Sequence, residues 1–99
     1  MGNAFQGISG ANQIVTTAGT SASKTIPTGG QSVRLVNAGA TNPCHVRVGK
    51  DSQTATTADT VLLAGQAIVL HKADDDNTVA YIQSSGATTL HIQPGEGGI

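Results

Sequence analysis

Turn residues cut this chain into short β-branched runs at nearly even spacing. Nothing between residues 13 and 93 repeats at the i, i+3, i+4, i+7 interval of an amphipathic helix. QIVTT (13–17) stops at Ala18-Gly19, and SASKTI (21–26) stops at Pro27. QSVRLVN (31–37) closes at Ala38-Gly39, and Asn42-Pro43 launches CHVRVGK (44–50). TVLL (60–63) meets Ala64-Gly65, QAIVLHK (66–72) follows, and the acidic loop Ala73–Asn77 leads into TVAYIQS (78–84). After Ser85-Gly86 comes ATTLHIQ (87–93), which Pro94 is expected to end. About eight strands spaced in this way predict an all-β chain, a compact antiparallel β-sandwich. DSQTATTAD (51–59) has no large apolar residue and reads as a surface loop.

The period of two along a strand assigns side chains to faces. Cys44, Val46 and Val48 share a face opposite His45 and Arg47, and Leu90 with Ile92 opposes His91 with Gln93. Val33 and Leu35 oppose Arg34. Two strands are apolar on both sides: Ile68 and Leu70 against Val69, and Ala80 and Ile82 against Val79 and Tyr81. Val69, Val79 and Tyr81 therefore read as extra apolar surface, for a subunit interface or the chain's own loops to cover. Residues 1–12 form an extended N-terminal arm anchored by Phe5 and Ile8, residues 13–93 the sandwich, and 94–99 a tail ending in the apolar Ile99. Arm and tail are both candidate interface segments.

Leu, Ile, Val and Phe together number 21, a thin core for 99 residues. Extra burial against neighbouring copies would help such a chain, so a homo-oligomer, dimer or trimer, is expected. Net charge is −1, and Lys24, Arg34, Arg47, Lys50 and Lys72 form no basic run, which argues against nucleic acid. Phe5 and Tyr81 are the only aromatic residues, too few for a platform that stacks bases or sugars. No apolar stretch reaches the roughly 18 residues of a membrane span, and MGNAFQGISGANQ carries no secretory pattern. Cys44 stands alone and reads as a small buried hydrophobe.

Catalytic patterns are absent from the sequence. Gly7-Ile8-Ser9-Gly10 has the wrong spacing for a nucleophile elbow, and no phosphate loop with its Lys is present. His45, His71 and His91 lie on three different expected strands, without the close pairing of a metal site. Asp74-Asp75-Asp76-Asn77 lacks the spacing, central Gly and late Glu of a calcium loop. The expectation is a non-enzymatic protein with no catalytic residue, cofactor, metal ligand or small-molecule substrate.

VRLVNAGATNPCHVRVG, the Ala/Thr loop, Asp59-Thr60, the turn at Ala64-Gly65 and the PGEGG ending form a recognisable series. Residues 31–99 thereby resemble a recurrent family of small virion proteins of tailed bacteriophages, the capsid cement or decoration proteins. The resemblance implies a jelly-roll or related sandwich and a homo-oligomer that binds the major capsid protein on the capsid exterior. The lone Cys44 and the missing secretory pattern read as synthesis in a reducing cytoplasm, which the resemblance makes that of the host. Another virion component (a head–tail connector, a tail or fibre-base protein) is the alternative, and a cell-surface or sugar-binding module a more distant one.

Overall fold

The computed structural model describes residues 4–8, 10–83 and 85–97, which hold nine strands and no helix. They are β1 (Gln6–Gly7), β2 (Gln13–Thr16), β3 (Ala22–Thr25), β4 (Ser32–Asn37), β5 (Cys44–Gly49), β6 (Thr60–Leu62), β7 (Ala67–His71), β8 (Thr78–Gln83) and β9 (Thr89–Glu96). Each of the eight expected runs supplies one strand, and β1 is an addition from the arm. One sheet is ordered β1-β9-β4-β7 with β2 also on β9, and the other is ordered β3-β8-β5-β6. Every pairing is antiparallel. Counted from β2, the first sheet holds the first, eighth, third and sixth strands, and the second sheet the second, seventh, fourth and fifth. That order is a jelly roll.

The core lies between the sheets. Val33, Leu35, Leu90 and Ile92 from one meet Cys44, Val46, Leu62, Val79 and Tyr81 from the other, with Ile26 between. On β8 the face assignment needs correction: Val79 and Tyr81 are core residues, 0% and 6% exposed, so neither is spare surface for a partner. Alternation groups them together but does not say which group turns inward. Their size decides, because Val79 and Tyr81 fill more of the inter-sheet gap than Ala80 and Ile82.

Pro94 does not end the last strand. β9 runs on to Glu96, with Pro94 opposite Val33 of β4 and Gly95 opposite Gly7 of β1. The Pro94 carbonyl accepts the Ile8 N–H at 2.9 Å, so its backbone polar side faces the edge where β1 and β2 are separate strands. Its missing N–H falls in the gap between them, where the ladder requires no donor. The described part of the arm therefore folds back on its own chain, and residues 94–96 of the tail are sheet. Gly95 permits that closure: a Cβ there would collide with the Gln6 carbonyl oxygen and stand 2.8 Å from Phe5 Cζ.

Two polar residues tie the loops to this frame. Asn37, fully buried, donates through Nδ2 to the carbonyls of Asn42 (2.9 Å) and Leu62 (3.0 Å). Its Oδ1 accepts the Gly39 N–H (3.0 Å) and the Thr88 hydroxyl (2.6 Å). Lys72, read from sequence as one of the scattered charges, is 1% exposed. Its Nζ donates to the carbonyls of Ala73 (3.2 Å) and Asp76 (3.1 Å), so the cation holds the acidic loop by its backbone.

Candidate interaction surfaces

The outer face of the β3-β8-β5-β6 sheet is covered by the chain itself. On β5, His45 and Arg47 point outward and hold the end of the 51–59 loop. His45 Nδ1 donates to the Asp59 carbonyl at 3.1 Å, and Arg47 Nε donates to Asp59 Oδ1 at 3.1 Å. Across β8, the Ala55 N–H donates to Ser21 Oγ at 2.8 Å, beside the start of β3. The loop thus straps the sheet from β5 to β3, with Ala55 2% and Ala80 of β8 0% exposed. Arg47 and two Thr56 groups fix Asp59, whose carboxyl sits below its ordinary 3.8, chiefly through the Thr56 N–H. The outward apolar side of β8 is satisfied within one chain, by a segment with no large apolar side chain of its own.

The outer face of the other sheet has no such strap. Its register places Ile14, His91, Val36 and Ala67 in one row, and Gln93, Arg34 and Val69 in the next. Val36 and Val69 are half-buried, and Ile14 is 63% exposed. Phe5 is half-buried beside Gly95 at one end of this face, and Ile8 is 37% exposed beyond it. On the second sheet, Val61 and Leu63 are 46% and 56% exposed around the edge strand β6. Of the residues singled out as interface candidates, Phe5, Ile8 and Val69 keep accessible surface, Val79 and Tyr81 do not, and Ile99 lies outside the described residues. Ile14, Val61 and Leu63 were legible only as strand residues. Ile14 and Val61 sit on strands whose outward side could be found by counting from Val15 and Leu62.

The chemistry-bearing side chains do not converge. His45 is on the strapped sheet, whereas His71 and His91 are on the other, with His91 Nδ1 3.4 Å from Asn12 Nδ2. Among the described residues no group of three or more His, Cys, Asp or Glu is placed to hold a metal ion. The acids of the 73–77 loop stitch the loop to its surroundings. Asp76 Oδ2 accepts the Ala73 N–H at 2.9 Å, Asp75 pairs with Lys50 at 3.3 Å, and Asn77 Oδ1 accepts the Asp51 N–H at 2.8 Å. Cys44 is buried in the core, and burial pushes its thiol up to about 11. A recess of about 240 Å³ between Ala4, Gln6, Glu96 and Gly97 offers one carboxylate and no nucleophile. The chain matches no protein-family model and no curated protein.

Proposed function

We propose that this chain is a capsid cement protein, a jelly roll that binds the outside of a tailed-phage shell in many copies and stabilises it. The observation that carries the reading is the resemblance of residues 31–99 to such virion proteins, from VRLVNAGATNPCHVRVG to PGEGG. The strand order supports it, being the fold that resemblance implies. So does the distribution of polar groups: the buried or strapped ones serve loops and sheets, as a purely structural role requires.

On this reading the exposed Ile14, Val61 and Leu63 supply apolar contact to the major capsid protein. Individual contacts need not be strong. Once one subunit of an oligomer is docked, its neighbour faces the next site at high effective concentration, and avidity exceeds the single-site affinity.

The test is copy number and location in intact particles, followed by removal. Hundreds of copies on the outer surface, and shells that release their contents at a lower temperature once stripped, are expected. A dozen or fewer copies at the neck or tail would overturn the cement role in favour of another virion component. Stripped shells with an unchanged release temperature would overturn stabilisation.

A further inference from the structure

We infer that two copies of this chain pair through β7, edge to edge about a two-fold axis at Val69, so that their β1-β9-β4-β7 sheets become continuous. β7 ends its sheet, and its hydrogen-bond parity is fixed at both ends. The Asn37 N–H donates to the Gln66 carbonyl (2.9 Å), and the Lys72 N–H donates to the Gln31 carbonyl (3.0 Å). In the register Val33↔Leu70 and Leu35↔Ile68, the backbone groups of Gln66, Ile68, Leu70 and Lys72 therefore face β4. Those of Ala67, Val69 and His71 face outward, and among the described residues no hydrogen bond reaches them.

That outward row is self-complementary. With Val69 on the two-fold axis, Val69 meets the partner's Val69, and Ala67 meets the partner's His71, each pair exchanging both N–H···O bonds. A two-fold axis moved to Leu70 would set Ile68 against the partner's Lys72, whose buried ammonium is already committed to the acidic loop, and one moved to Ile68 would set the polar Gln66 against the partner's Leu70. The charge pattern agrees with the Val69 register. β7 has no Lys, Arg, Asp or Glu, and this register keeps His71 away from its own copy. Residues 67–71 carry no proline, bulge or charge of the kind that blocks strand addition, and the inward charge of Lys72 lies one residue beyond the strand.

Side-chain burial points to the same seam. The core-facing residues of β4 and β9 are fully buried, whereas Ile68 and Leu70, facing the same core from β7, are only half-buried. The two-fold axis lays Ile68 against the partner's Leu70. A single strand edge covers less than the roughly 800 Å² per partner of a typical stable dimer. The second sheet is expected to add to it, since β6 ends that sheet and the 63–66 turn joins it to β7.

This pairing stands whether or not the chain coats a shell, and the purified chain tests it. Sedimentation velocity across the micromolar range is expected to show a dimer. Val69→Pro removes an N–H that β4 does not use, so it should leave the far-ultraviolet circular dichroism intact and give a monomer. The register has its own readout. Hydrogen-bonded antiparallel partners lie about 5.5 Å apart at Cα, inside the roughly 4.4–6.8 Å range for disulfides. Mild oxidation should therefore couple Val69→Cys to itself and leave Ala67→Cys uncoupled. A monomeric wild-type chain, or a dimer that survives Val69→Pro, overturns the inference. Equal coupling of the two cysteine variants overturns the register.

Discussion

Replacing Asn37 tests whether one buried amide holds the loops at its end of the sandwich. Its side chain makes four hydrogen bonds, to Asn42, Leu62, Gly39 and Thr88, and no part of it reaches solvent. Asn37→Leu keeps the volume and deletes all four. At a net worth of about 1 kcal/mol each, the loss is about 4 kcal/mol, and stranding the buried Leu62 carbonyl would add to it. A chain of this length has roughly 5–15 kcal/mol in total, so the variant should fold but sit near the edge of stability. Urea unfolding should move its midpoint down by about 2 M, given a slope of about 2 kcal/mol per M. Asn37→Asp sharpens the test. One carboxyl oxygen can still accept from Gly39 and Thr88, but the other faces two carbonyl oxygens. The folded state then holds this carboxyl above its unfolded value. Its penalty is smallest below about pH 4 and grows as pH rises through the folded value. Asn37→Leu costing under about 1 kcal/mol, or Asn37→Asp gaining stability toward neutral pH, would refute the role given to Asn37.

Asp59→Asn should cost up to about 1 kcal/mol near pH 6, because the Arg47 partner is well exposed. The native carboxyl is lowered in the folded chain, so its contribution is present above the ordinary 3.8 and fades as pH falls through and below that value; urea midpoints across that range should converge for wild type and variant. Gly95→Ala should lift β1 off β9, seen as faster proteolysis near Gln6, with a loss of about 1–2 kcal/mol. Cys44, buried and pushed up to about 11, should ignore a thiol reagent until the chain is unfolded in denaturant.

Strand positions were legible because Gly, Pro, Asn and Asp act locally: each restricts or frees the backbone where it stands. Hence β2 to β8 fall within a residue or two of the runs read from the sequence. Pro94 reads as a strand end from sequence but is not one, because its cost depends on which strand edge its nitrogen faces. That is fixed by Ile8, more than eighty positions away, and by the break between β1 and β2. The buried state of Lys72 was hidden for a similar reason. Nothing beside it in sequence announces that the carbonyls of Ala73 and Asp76 will turn back to meet the ammonium.

Accessible surface was harder to read than strands, and β7 and β8 show why. Both alternate two apolar sets, and from sequence both look doubly greasy. On β8 the outward set is covered by a loop of Ser, Thr, Gln and Ala, held down by Asp59 and by the Ser21 hydroxyl. Polar loops can cover apolar strands because what must be excluded is water, and backbone with small side chains packs closely enough to exclude it. β7 lies at the end of its sheet beyond any such strap, so its outward Val69 and its core-facing Ile68 and Leu70 keep exposure together with unpaired backbone groups. An apolar side chain alone finds cover in many ways. An apolar side chain beside an unpaired N–H and C=O is satisfied by a narrower set of partners, chiefly another extended strand, and on β7 the two needs coincide.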